Sequence, residues 1–272
     1  MSGVDPLEVL SPVERRRYVL ADALVRRAPW LSIAWNKLFM VNVTRVVAMR
    51  RVRVRGLEHL AALGPETRVM LVANHRSFFD YYIIGAVLYT RTNLPKQVLF
   101  PVRGTFFYDH LWGSVVNGIM SGFTMFPPIL RDVEGARRRF NTFALDRCIE
   151  HLAAPGRMLG VHPEGRRGAD PDPYVMLPAQ PGIGRIAAAS PGLTVVPIWV
   201  MGMSNSIQEE TRRNWREPDA YPIDIAFGAP VPFDDLREQP DAAVAITARC
   251  VSAITSLAEA TKAIRDPVPR SS

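Results

Sequence analysis

Two short segments of this 272-residue chain hold residue types that do chemistry. The first is Asn74-His75-Arg76-Ser77-Phe78-Phe79-Asp80. An imidazole works as a general base when it is exposed, oriented and free to take a proton. Asp80 follows His75 by five residues, close enough for a turn to fold its carboxylate back onto one ring nitrogen. That contact sets the tautomer and leaves the other nitrogen as the base. The same stretch also reads as a capping box, Ser77-x-x-Asp80, which needs no chemistry. The second segment is Val161-His162-Pro163-Glu164-Gly165-Arg166-Arg167-Gly168. A glycine-containing turn with an acid and two guanidiniums can offer backbone N–H groups and Arg forks to a phosphate. The plainer reading is a surface turn with solvated arginines. His162 has no second histidine three or four residues on, so no metal role is expected of it. His59, His110 and His151 are isolated and read as structural or surface residues.

Residues placed this way need strands behind them. Val69-Met-Leu-Val-Ala73 predicts a buried strand, and a helix follows over about 78–89. Met158-Leu-Gly-Val161 predicts the strand that feeds the second segment. Val52-Arg-Val54 and Ile223-Asp-Ile-Ala-Phe227 alternate, as half-exposed strands do. Further strands are expected at Val98–Val102 and Val195–Val200, with an extended stretch from Met125 to Leu130. Helices are expected over 134–152 and 240–264. Alternating β and α units predict an α/β fold: a mixed, largely parallel sheet flanked by helices. An N-terminal basic amphipathic helical hairpin, residues 1–50, precedes a domain over 51–272.

Composition narrows the function classes. Apolar residues make up 48% of the chain, enough for a real core, so disorder as the main state is excluded. The formal net charge of +7 sits almost wholly in the first 55 residues, and the remainder is balanced. A nucleic-acid-binding fold usually spreads positive charge over its working face, so no nucleic-acid partner is expected. Cys148 and Cys250 are too few and too scattered for a disulfide framework. With acidic residues ahead of any apolar run, no secretory signal is read and a reducing cytosol is expected.

A membrane-spanning helix needs about 20 apolar residues. Residues 30–49 contain Asn36, Lys37, Asn42 and Arg45, while 110–130 and 186–208 are broken by glycine and proline, so no span is read. Trp30, Trp35 and Phe39 stand among aliphatic residues beside clusters of arginine. That mixture suits a helix pair lying on an anionic bilayer surface, peripheral or monotopic, at the cytoplasmic face. An amphipathic hairpin with a solvated basic face explains the same composition.

Taken together, His-x4-Asp after one strand and Pro-Glu-Gly-x-Arg after a later one resemble the PlsC-type glycerolipid acyltransferases. Other blocks match in order: Arg103-Gly104, Ile129-Leu-Arg131, Pro178 to Arg185, Val195-Val-Pro197-Ile, and Ile225-Ala-Phe-Gly228-x-Pro230. The resemblance covers about residues 50–235. It implies transfer of a fatty acyl group from a thioester, acyl-CoA or acyl carrier protein, to a hydroxyl of a lysophospholipid-type acceptor. In phospholipid biosynthesis 1-acyl-glycerol-3-phosphate is the family default. No cofactor and no metal are implied beyond the acyl donor. His75 and Asp80 would form the catalytic pair. Arg103, Arg131, Glu164, Gly165 and Arg167 would hold the acceptor and its phosphate. Phe78, Phe79, Phe106, Phe107, Phe123, Phe126 and Pro197 would line the acyl channel. Arg166, Gly168 and Gln180 stand where the family usually has Thr, Ser and Lys, which leaves the acceptor open to a glycolipid or a specialised-metabolite hydroxyl. Thioesterase activity and a non-catalytic lipid-binding role are the remaining alternatives.

Overall fold

The computed structural model describes residues 5–104, 108, 111–130 and 135–265. Its main sheet uses six strands: β1 (Val52–Arg55), β2 (Val69–Ala73), β3 (Gln97–Leu99), β6 (Arg157–Val161), β7 (Thr194–Met201) and β8 (Ile223–Phe227). They lie in the order β1-β8-β7-β2-β6-β3. Every neighbouring pair is parallel except β7 with β8. β4 (Val102–Arg103) and β5 (Pro128–Ile129) form a small parallel ladder of their own. The expected α/β sheet, mixed and largely parallel, is what forms.

The central strands show why the fold is layered. Alternate side chains of a strand point to opposite faces. Val69, Leu71 and Ala73 accordingly enter one apolar cluster while Met70 and Val72 enter another. Both faces are covered by helices, so β2 is buried at every position.

The helices are α1 (Pro12–Arg27), α2 (Pro29–Trp35), α3 (Val41–Val47), α4 (Asp80–Arg91), α5 (Leu111–Ser121), α6 (Gly135–Leu152), α7 (Gly182–Ala188), α8 (Ile207–Arg216) and α9 (Ala242–Arg265). A π-helical turn, Asn36–Met40, joins α2 to α3. α1 begins at a complete capping box between Ser11 and Glu14. By length and composition alone, α9 could cross a membrane. Its stripe Ile246, Cys250, Ile254 and Ala258 is instead fully enclosed in the core.

The N-terminal helices share the core of the sheet domain. Tyr18, Ala21 and Val25 of α1 belong to the same apolar cluster as β2. Arg51 ties the end of this segment down. Its guanidinium meets the Glu210 carboxylate at 2.6 Å and donates to the carbonyls of Tyr221 and Gly202, with both side chains sealed from solvent. Removing one partner of a buried ion pair strands the other charge, at about 3–5 kcal/mol. Arg51→Ala should therefore lower unfolding stability by about that amount in urea titration, while Arg53→Ala on the exposed side of β1 changes it by less than about 0.5 kcal/mol.

Several expectations shift. The predicted strand Val98–Val102 splits at Phe100–Pro101, because Pro101 has no N–H to continue a ladder and Phe100 donates instead to Thr124 O. β8 alternates in sequence but is buried throughout, since Arg55 and Arg265 neutralise Asp224. α5, α7 and α8 were not foreseen. The cue for α8 is Ser206-x-x-Glu209, whose hydroxyl accepts the Glu209 N–H at 3.3 Å.

Candidate active site

The sheet order assembles the site. Val72 of β2 lies beside Val161 of β6 on one side and Pro197 of β7 on the other, all running parallel. The three strands therefore release their following loops at one edge, where open α/β sheets bind ligands. Residues 74–79, 162–168 and 202–206 meet there although the first two segments are nearly 90 residues apart. Asn74 staples the first loop to β7: its amide donates to Val200 O and its carbonyl accepts from Val200 N.

The predicted dyad forms. His75 Nδ1 is 3.0 Å from Asp80 Oδ2. The same oxygen accepts the N–H groups of Arg76 and Ser77, each at 2.8 Å, which pulls the loop around the carboxylate. An ionised Asp80 accepts the Nδ1–H and leaves Nε2 as the basic nitrogen. Burial pushes the Asp80 carboxyl up to about 6, against the pull of His162 and the two loop amides. Its second oxygen, Oδ1, has no hydrogen-bond partner, consistent with that upward push. Burial, with Arg167 and Arg103 nearby, draws His75 down to about 4. At neutral pH the pair is thus a neutral imidazole oriented by a carboxylate, the state that takes a proton.

The capping-box expectation is corrected in part. α4 starts at Asp80 with Phe79 as its cap residue and no side-chain cap. Ser77 Oγ donates instead to Ser204 O at 2.9 Å, fixing the first loop to the loop after β7. Asp80 does back-bond to the loop amides, so half of the box survives and serves the dyad.

A cavity of about 470 Å³ opens from His75 and runs along α4. Its polar end holds His75, His162, Arg103, Arg166 and Arg167; its apolar length passes Phe78, Tyr82, Gly85, Ala86 and Met125. Phe78, Tyr82, Gly85 and Tyr89 recur at one helical face, a spacing already visible in the sequence. Nothing lies within 4 Å of where a Cβ on Gly85 would sit, so the missing side chain is part of the channel. The π turn contributes Asn36 and Met40 to the opposite wall.

The other expected residues divide. Gly165 lines the cavity and holds a left-handed turn, φ +63°, that suits glycine. Arg167 and Arg103 stand at the polar end as expected. Glu164 takes a different place from the one the motif suggested. It is 4% exposed, and its two oxygens accept the N–H groups of His75 (2.7 Å) and Leu177 (2.8 Å). It splints the loop that carries His75 to the loop after β6, and burial raises its carboxyl. Phe79 packs edge-on against Phe78 outside the cavity lining. Pro197 is buried in β7 with its ring over Gly228, also away from the lining. Phe126 is a core residue beside Tyr18. Phe123 packs on Gly118. Arg131, Phe106 and Phe107 lie outside the described residues.

Two residues escaped the sequence reading. Asn205 Oδ1 accepts from Arg167 (2.9 Å) and from the Phe78 N–H (2.9 Å), so it sets the direction of that guanidinium. No motif marks it. His162, set aside as a metal ligand, stacks on His75. One ligand atom each from His75, Asp80 and His162 falls within 4.8 Å of the others. The two rings are nearly parallel, their planes 8° apart and their centroids 3.8 Å apart. Their nitrogen lone pairs therefore point along two parallel planes, and a single ion cannot lie in line with both. The donor set does not fit a metal as it stands.

No curated protein matches the chain. The crystal structure of the 1-acyl-sn-glycerophosphate (LPA) acyltransferase PlsC from Thermotoga maritima is similar at 15% identity and a TM-score of 0.49, covering 92% of this chain and 96% of that one. Residues 51–201, more than half of the chain and all of the dyad and the loop after β6, match the family described as Acyltransferase. With that match spanning more than half of its length, the chain belongs to the acyltransferase family and is an acyltransferase enzyme.

Proposed function

We propose that the enzyme moves a fatty acyl group from a thioester, acyl-CoA or acyl carrier protein, to the hydroxyl of a lysophospholipid-type acceptor, with 1-acyl-glycerol-3-phosphate as the first candidate. The observation that carries this reading is the join between two environments. A His75–Asp80 dyad stands where an apolar cavity meets three guanidiniums, those of Arg103, Arg166 and Arg167. The apolar length suits an acyl chain, and the arginines suit a phosphate.

In this reading the acceptor hydroxyl gives its proton to His75 Nε2 as its oxygen attacks the thioester carbonyl carbon. The C–S bond breaks, the ester forms, and the thiolate leaves with the proton that His75 returns. Asp80 stabilises the transient imidazolium. No acyl-enzyme is required.

An anionic membrane surface, at the cytoplasmic face, is the partner this reading needs, because the acceptor resides in a bilayer. Trp30, Leu31, Leu38 and Phe39 are exposed on the N-terminal helices, and Trp112 and Ile119 on α5. Ser32 Oγ donates to Gly122 O and Trp35 Nε1 to Ile119 O, so the two surfaces are adjacent. Part of the N-terminal charge is paired within the protein: Arg51 with Glu210 and Arg55 with Asp224 inside the fold, and Arg15 with Asp5 and Arg26 with Glu150 at its surface. Apolar contact therefore supports the docking more than charge alone does.

The test is a labelled acyl donor, offered as acyl-CoA and as acyl carrier protein, with a panel of acceptors presented in anionic vesicles. A new ester of the mass expected for acylated lysophosphatidate, and flotation of the protein with the vesicles, are the expected results. Thiol release that no acceptor stimulates would overturn the transferase reading.

A further inference from the structure

We propose that His162 is a positioning residue for His75: its ring face fixes the plane of the base, while Asp80 fixes the rotation of the ring within that plane. The proposal rests on His75 being the base of the transfer reaction, and it gives a function to a residue that no motif assigns.

A single in-plane hydrogen bond is an incomplete restraint. His75 can keep its 3.0 Å contact with Asp80 and still swing about that axis, carrying Nε2 away from the hydroxyl it must reach. The His162 ring closes off that motion, because it lies flat against His75 at 3.8 Å. His162 is itself clamped. Its Nδ1 stands 2.9 Å from Ala73 O, and a carbonyl oxygen accepts only, so this nitrogen carries the proton. Tyr81 packs on it at 4.4 Å, and the Tyr81 hydroxyl donates to Val161 O at 2.6 Å. The support is rigid because both rings leave adjacent, hydrogen-bonded strands, β2 and β6.

The groups facing this stack are Asp80 and Tyr81 from α4, Arg76 from the loop after β2, Arg103 from β4, and Glu164 and Arg167 from the loop after β6. Burial holds His162 neutral, down to about 3, so it adds no charge of its own at working pH. What it contributes is a flat surface against one face of His75. Removing it admits water to one face of His75, which weakens the burial that keeps the base unprotonated.

Three variants separate the ring face from other roles. His162→Phe keeps a flat ring without nitrogens, His162→Leu keeps bulk without a flat face, and His162→Ala keeps neither. Misplacing a reacting group by about 1 Å can cost up to about 10²-fold, so His162→Leu and His162→Ala should lose about tenfold or more in kcat with acceptor KM unchanged, while His162→Phe stays within about threefold. Ring-carbon NMR of His75 should show titration moved to higher pH in His162→Ala and left near the wild-type position in His162→Phe. Unchanged kcat in His162→Leu would overturn the proposal. So would a loss in His162→Phe as deep as in His162→Leu, since the imidazole nitrogens would then matter and not the face. If His162→Ala fails to fold in a thermal melt, the Phe and Leu pair still decides. The NMR titration needs no turnover. A wild-type protein without transferase activity would sink the proposed function, and the titration would still judge the stack.

Discussion

His75→Ala is expected to abolish measurable acyl transfer while the protein keeps its fold and its thermal melt. General-base catalysis contributes about 10²–10⁴-fold, and in the proposed reaction His75 also returns the proton to the leaving thiol, so the loss belongs at the upper end of that range. The fold should survive because the ring is a lining group of the cavity, and the loop that carries it is held elsewhere. Asn74 bonds both ways with Val200, Glu164 accepts the His75 N–H, and Ser77 donates to Ser204 O. None of these contacts uses the imidazole. A steady-state assay with acyl-CoA and lysophosphatidate, paired with circular dichroism, checks both halves. Turnover within about tenfold of wild type would show that another group removes the proton.

Asp80→Asn should cost nearly as much, for a different reason. The carboxylate oxygen Oδ2 accepts from three donors, His75 Nδ1 and the N–H groups of Arg76 and Ser77. An amide presents either one oxygen or an NH₂ group to that cluster. The imidazole then loses the partner that fixes its tautomer, and a comparable carboxylate-to-amide change in the serine-protease triad lowers kcat about 10⁴-fold. The pH profile gives an independent readout. Asp80 must be ionised to hold the Nδ1–H, and burial raises its carboxyl to about 6. Activity should therefore fall as pH drops through about 6 and stay level above it, because His75 is already neutral there. The two groups are in contact, so this limb belongs to the pair. In Asp80→Asn the residual activity should lose that limb or show it at lower pH. An unchanged limb would mean that the titrating group lies elsewhere.

The same dyad shows how far the chain could be read before folding. The strand-to-turn settings of His75 and Glu164, and the five-residue step to Asp80, are local features. Turns and short spacings depend on backbone geometry over a few residues, so they survive translation from sequence to structure. The parallel α/β sheet was legible for a similar reason, since buried strands between helical stretches leave few other packings. Roles were harder to read. Glu164 belongs to the motif, yet its carboxylate holds two backbone N–H groups and keeps clear of the cavity lining. Phe79 and Pro197 have the apolar character of a channel wall and pack elsewhere. Residue type alone does not say which way a side chain faces.

By itself, then, the sequence determined the pairing of His75 with Asp80, the class of sheet and the concentration of charge at one end, each a matter of residues close together in the chain. Tertiary structure alone decided which segments share the site. The order β7-β2-β6 brings His162 onto His75 and Asn205 onto Arg167, and a separate long-range contact, Trp35 with Ile119 O, sets α5 beside the N-terminal helices. These contacts join residues from about 40 to nearly 90 positions apart. They depend on strand order and register across the whole sheet, which no local pattern encodes.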